Sequence, residues 1–303
     1  MGLLLICLAS VAWGTTGATA TLIAQQVTIS PLIVGTWRIF FAVPVFWLWY
    51  GCLTPPSERQ RRPHRRQWLP LGAMGLCMAG YQVFYFAAVP YAGVAITALV
   101  AICSSPLIIT ALAIGFLGER LTRTVAISLA LGVVGTLLLI AQPETLQLGG
   151  GRFFLGVALA FGAAFSYAGY AIFAKALVAT TGGIAIATYS FTAAALALAP
   201  ILVIQPPLAA WLQALPYLVY LGVVTSGLAY GIYMLGIRHI TATTAGILVL
   251  IEPLTATLLG LFVFREPLGW TSLVGAMLLT TGILYARKNP RAAAKASRQT
   301  LEG

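Results

Sequence analysis

The chain has 303 residues, 60% of them hydrophobic and only 8% charged, with a formal net charge of +11. An average soluble protein is roughly 45–50% apolar and about 25% charged, so a soluble enzyme or a nucleic-acid binder does not fit. Disorder does not fit either, because it needs low hydrophobicity, and a mean hydropathy of +0.96 describes a chain that lives mostly in lipid.

A membrane-spanning helix needs roughly 20 mostly apolar residues. Ten segments qualify, at about 2–24, 31–52, 68–89, 92–117, 123–141, 152–178, 182–204, 208–236, 241–264 and 268–287. Their connections are short and hold helix breakers: Ser30-Pro31, Pro55-Pro56, Gly149-Gly150-Gly151, Gly182-Gly183 and Pro206-Pro207. The division between the third and fourth spans rests on Pro90 alone. Residues 288–303 read as a polar, basic tail. Barrel strands would alternate in polarity over about 10 residues, and these segments do not. The first apolar run lacks a basic flank and is about long enough to span, so a cleaved signal peptide is not expected. The four cysteines, Cys7, Cys52, Cys77 and Cys103, form no CxxC pair and read as buried, reduced thiols.

Cytoplasmic loops are enriched in Lys and Arg. With ten spans and the N-terminus inside, 14 of the 17 positive residues fall on the inner side. Five of these lie between Arg59 and Arg66 and five between Arg287 and Arg298; Arg120, Arg123, Lys175 and Arg238 make up the rest. Only Arg152 and Arg265 fall outside, and Arg38 lies within a span. Nine spans would put the two five-positive clusters on opposite faces. The count therefore predicts ten spans with both termini cytoplasmic.

The two halves resemble each other. A shift of 147 residues pairs Thr97 with Thr244, Pro106 with Pro253, Glu119 with Glu266 and Gly135 with Gly282. A shift of 154 pairs Gly2 with Gly156, Ala9 with Ala163 and Trp13 with Tyr167. The Pro-then-Glu pair carries the most weight, because the chain has only six acids, all of them Glu. Five spans is an odd number, so a second repeat enters the membrane from the opposite face. The expected fold class is an all-α integral membrane protein, with ten transmembrane helices forming two inverted five-helix repeats. The expected units are 1–145, 152–287 and the tail 288–303. Inverted repeats suit alternating access around a site near the midplane.

Two segments carry a family resemblance. The run ALVAICSSPLIITALAIGFLGERLT ends the fourth span in Gly-Glu-Arg-Leu, and GILVLIEPLTATLLGLFVFREPLG ends the ninth in Arg-Glu-Pro-Leu. The chain resembles the drug/metabolite transporter superfamily, EamA type, over about 2–287. Within it, the chain is similar to bacterial amino-acid exporters of the YddG type. The resemblance implies a transporter of the bacterial inner membrane, exporting small metabolites such as aromatic and other amino acids. It also implies a central cavity lined by the first, third, fourth, sixth, eighth and ninth helices, with the fifth and tenth peripheral.

On those helices the polar and aromatic candidates for substrate contact are Trp13, Tyr81, Gln82, Tyr85, Thr97, Ser104, Ser105, Ser166, Tyr167, Tyr170, Tyr230 and Tyr233. Hydrogen-bonding groups would serve the two ends of a zwitterion, and aromatic faces would take varied side chains and cations. The plainer reading is helix packing for Ser and Thr and an interfacial belt for Tyr and Trp. Glu252 stands near the midplane, where a charge costs roughly 2.5–3.5 kcal/mol. It is a candidate for proton coupling or for holding a substrate amine. Ser105 is its counterpart in the first half, so the shared architecture does not demand a carboxylate. Glu119 and Glu266 precede the fifth and tenth spans and should face helix N-termini; with Pro106 and Pro253 they mark the repeat. Arg38 could attract a carboxylate, but an Arg there more often snorkels to the interface or bonds helix-end carbonyls. Lys175, Arg238 and His239 read as positives near inner helix ends. Gly132, Gly135, Gly275 and Gly282 would let helices approach closely, within the chain or between subunits.

No Walker A motif, HExxH or paired metal ligand is present, and there is no Asp. An ATP-driven pump within this chain is excluded, and neither a cofactor nor a metal is expected. The partners expected are a small-molecule substrate and membrane lipid, without nucleic acid; monomer and homodimer both remain open. Two alternatives stand beside the amino-acid exporter. One is a multidrug or cationic-compound exporter of the same superfamily. The other is a membrane-embedded enzyme on a lipid-like substrate, against which the scarcity of acid–base groups argues.

Overall fold

The computed structural model describes residues 1–59, 63–140, 152–204, 207–263, 265 and 269–286, with Val94 and Ala95 described by backbone alone. Lipid offers the backbone no hydrogen bonds, so an open-ended apolar segment must satisfy itself as a helix. Among the described residues all regular structure is helical. Among the described residues, nine helices are long and apolar enough to cross a bilayer. They are α1 (Gly2–Gln26), α2 (Pro31–Leu53), α3 (Arg65–Gly93), α4 (Ile96–Leu117), α5 (Arg123–Ile140), α6 (Phe153–Leu177), α7 (Gly183–Val203), α8 (Leu208–Ile237) and α9 (Ala242–Val263). The shorter apolar helix α10 (Trp270–Ala286) completes the ten. Glu266, Pro267 and the tail 288–303 lie outside the described residues.

The junction of α3 and α4 differs from the expected break at Pro90. Pro90 is inside the helix, and the chain turns instead at Gly93, with φ 77° and ψ 163°. A side chain there would have nothing within 4 Å, so Gly is needed for its backbone freedom and not for space. The cysteines also depart in part from expectation. None is in a disulfide, but Cys52 is exposed, because it sits in the wide terminal turn Trp49–Leu53 of α2.

The halves grip each other symmetrically. Helix α1 packs against α8 and α9, and α6 packs against the α3–α4 arm. Gly2 abuts Gly236 and His239, while its counterpart Gly156 abuts Tyr91 and Ala92. Trp13 meets its own counterpart Tyr167, with ring centroids 6.5 Å apart. Helices α5 and α10 pair on the side. A Cβ on Gly135 would lie 2.7 Å from the Gly275 carbonyl oxygen, and one on Gly282 would lie 2.9 Å from that of Ser128. The 147-residue shift maps the first contact onto the second. Two inverted five-helix repeats are thus visible contact by contact, and the glycine approach lies within one chain.

These glycines give the first prediction. Gly135→Leu places a side chain into the backbone of α10 and should destabilise the protein by about 1–3 kcal/mol. Gly115→Ala, where nothing lies within 4 Å, should be neutral or stabilising. Thermal unfolding of the purified protein in detergent checks both.

Candidate functional site

A cavity of about 870 Å³ lies between the halves. Its wall runs from Trp13, Ile109 and Tyr230 at mid-bundle to Ala24, Ile29, Ile140 and Leu261. It therefore reaches the face opposite the N-terminus and the described end of α10. Helix α2 contributes Pro31, Val34 and Arg38, and α5 contributes Leu139 and Ile140. The wall is broader than the six helices implied by resemblance.

Its floor is aromatic. The Trp13 ring lies 4.7 Å from Tyr230 and 5.5 Å from Tyr233. Tyr81 bridges Tyr167 at 5.7 Å and Tyr85 at 5.9 Å. Of the sequence candidates, Trp13, Tyr81, Gln82, Tyr85, Ser105, Tyr167, Tyr230 and Glu252 line the cavity, with Pro106 and Pro253 beside them. Tyr170 and Tyr233 form a second layer, with Tyr170 stacked 6.4 Å from Tyr167. Thr97 is buried away from the wall. Ser104 is also off the wall, and Ser166 packs toward Gly80 on α3.

Local irregularities aim the polar groups. Helix α9 breaks at Leu250, between Ala242–Val249 and Ile251–Val263, and Pro253 supplies the reason by lacking an N–H for the preceding turn. Glu252 sits at that break. The hydroxyls after the two repeat prolines bond alike: Thr110 Oγ1 to the Pro106 carbonyl at 2.7 Å, and Thr257 Oγ1 to that of Pro253 at 2.9 Å. Ser105 donates to the Ala101 carbonyl at 2.6 Å, so its polarity is absorbed by its own helix. Its counterpart Glu252 has no such local partner among the described residues. Gln82 is 1% exposed, and neither of its amide atoms is bonded.

Arg38 is the residue that sequence reasoning undervalued. It does not snorkel: it is 6% exposed, lines the cavity, and its Nε donates to Ser226 Oγ at 3.0 Å. Ser226 is presented from a π-helical stretch of α8, Leu221–Leu228, a type of irregularity often found at functional sites. The available signal was the cost of a charge seven residues into a span in a chain so poor in charges.

At the opposite end of the bundle, polar contacts join neighbouring helices. Glu119 lies beyond α4, which ends at the left-handed Gly118 (φ 65°). Its carboxylate accepts from Ala242 N at 2.6 Å and Thr243 N at 3.1 Å. It faces a helix N-terminus as expected, but that of α9 in the other half and not of the α5 that follows it. Lys175 donates to the Ile237 carbonyl at 3.0 Å, ending α8, and Arg238 pairs with Glu58 at 3.4 Å. These two cations serve contacts between elements and do not simply face lipid.

Trp13 is central to the floor. Trp13→Ala should cost about 3–5 kcal/mol, as for a large buried aromatic residue. Tyr85→Phe removes a hydroxyl at the cavity wall and should change stability by less than about 0.5 kcal/mol. Thermal unfolding in detergent separates the two.

Comparison with known proteins agrees with this architecture. A family model described as the EamA-like transporter family matches residues 1–141 and again 154–287. The chain is 30% identical over 299 residues to an uncharacterized transporter, YwfM, of Bacillus subtilis (strain 168), covering 95% of this chain and 94% of that one. A solved crystal structure shares the fold with a TM-score of 0.78 at 21% identity, covering 94% of this chain and 96% of the other. With its helices, its two halves and its family match, the chain belongs to the EamA-like transporter family, a family of membrane transporters.

Proposed function

We propose that this protein is a secondary transporter or facilitator of the bacterial inner membrane that exports small metabolites, amino acids first, by alternating access. The observation that carries the reading is the cavity between the halves. Its volume falls in the usual range for small-molecule sites, about 300–1,000 Å³. It combines aromatic walls with a cation, an acid and an amide, which suits a small molecule with two polar ends. It reaches one face while polar contacts join the halves at the other, which suits one end state of an alternating cycle.

The Lys and Arg distribution supports a cytoplasmic N-terminus. Arg59, Arg65, Arg66, Arg120, Arg123, Lys175 and Arg238 all lie at the end of the bundle that holds Met1, against Arg152 and Arg265 at the other. On that reading the cavity faces outward. A purely cationic substrate fits less well, because Arg38 shares the wall with Glu252.

A panel of radiolabelled amino acids and organic cations in sealed proteoliposomes tests the function. Movement of intact amino acids supports it; movement of cations alone, or chemical turnover without movement, overturns it. Run with and without a pH gradient, the panel also addresses Glu252 as a coupling group. The gradient should alter wild-type rates and leave Glu252→Gln insensitive; equal responses would remove the coupling role.

The end that holds Met1 gives a second expectation. Glu119→Ala removes both bonds to the start of α9. A cysteine at Ile109, placed in a background without native cysteines, should then react several-fold faster with an impermeant thiol reagent added on the side of the termini. An unchanged rate would show that Glu119 does not help to hold that end shut.

A further inference from the structure

Several polar side chains on the cavity wall are not satisfied by the described residues; Trp13 Nε1, Thr16 Oγ1 and Tyr167 Oη are among them, and three others carry a charge or a full amide. Arg38 and Glu252 face the same space. Yet no ion pair joins them; the ion pair formed among the described residues is Arg238–Glu58, at the other end. Arg38 uses its Nε on Ser226, and its Nη groups make no bond among the described residues. Gln82 is the third. Both of its amide atoms are buried and unbonded, a state that native proteins rarely leave unexplained. It lies beside Gly35, where an added Cβ would be 3.3 Å from Gln82 Oε1. Gly35 is one turn before Arg38 on α2, so Gln82 and Arg38 share one side of the cavity.

We propose that the site is a zwitterion clamp, in which the α-carboxylate of a free amino acid is held by Arg38 and Gln82 and its ammonium by Glu252. This rests on the amino-acid reading above and names how that substrate is held. The carboxylate takes charge-assisted bonds from the guanidinium and the amide N–H. The ammonium takes the carboxylate of Glu252, with the faces of Tyr81 and Tyr230 nearby. The side chain of the substrate is left to the floor around Trp13. A zwitterion is the one ligand that matches both fixed charges without adding net charge. A ligand with only one charged end leaves the other protein charge unmatched, which selects against it.

The test is competition for counterflow of labelled phenylalanine in proteoliposomes. The competitors are unlabelled phenylalanine, its methyl ester, which keeps only the ammonium, and N-acetylphenylalanine, which keeps only the carboxylate. In the wild type each blocked compound should compete about tenfold or more weakly than phenylalanine, the scale of one lost charge-assisted bond. Arg38→Gln should weaken phenylalanine and bring the methyl ester level with it. Glu252→Gln should do the same for N-acetylphenylalanine. Ser226→Ala loosens Arg38 without removing a charge. It should weaken phenylalanine while leaving the methyl ester unchanged, and it keeps the test open if the charge variants fail to fold. Blocked compounds that compete as well as phenylalanine in the wild type, or an unchanged rank order in the variants, would overturn the clamp while leaving amino-acid transport standing. A wild type that moves no amino acid at all would overturn both.

Discussion

The first helix of each half lies in the grip of the third and fourth helices of the other half. This exchange, α1 against α8–α9 and α6 against α3–α4, is the contact on which the rest of the bundle depends. It places Trp13 against Tyr167 at the centre, so that the two repeat positions meet. It also ties the two ends of the bundle together. Drawing the halves close where Gly2 meets Gly236 and Glu119 caps α9 leaves them apart at the opposite end, where the cavity reaches the surface.

Within lipid the fate of a polar side chain depends on whether its own helix can absorb it. Ser10, Thr19, Thr36, Thr188 and Thr225 each donate to a carbonyl four residues earlier, and so cost little in an apolar surrounding. Arg38, Gln82 and Glu252 have no such route. The bundle keeps them by facing them into the space between the halves. The duplication sharpens the point. Ser105 and Glu252 occupy equivalent positions, yet one is absorbed by its helix and the other is held at a cavity wall. A symmetric scaffold thus carries an asymmetric site.

Small departures from ideal helix do the aiming. Pro253 opens α9 next to Glu252, and the π-helical stretch of α8 brings Ser226 to Arg38. Gly93 lets α3 turn directly into α4, so that the two helices form one arm for α6 to pack on. Each is a backbone effect of one or a few residues, and each sits beside the cavity or the grip that forms it.

Hydropathy marked the apolar segments, because about 20 apolar residues in lipid have one regular solution, and the Lys and Arg distribution chose ten spans over nine. The rare charges and the paired Pro and Glu positions marked the duplication, and an odd number of spans per half required the inversion. The aromatic floor was legible through the family resemblance, which implies the lining helices on which Trp13, Tyr167 and Tyr230 lie. What sequence did not reveal was which polar residues share a wall. Arg38 looks like a snorkelling cation until α8 supplies Ser226, 188 positions away in sequence. Glu119 looks like a cap for the helix that follows it until α9 proves to start against it. The spans follow from transfer energies that each segment carries by itself, and the repeat and its inversion follow from matched positions and an odd span count, all read along one sequence. The pairing of Arg38, Gln82 and Glu252 around one cavity depends on how helices from different repeats cross, and only the packed bundle decides that.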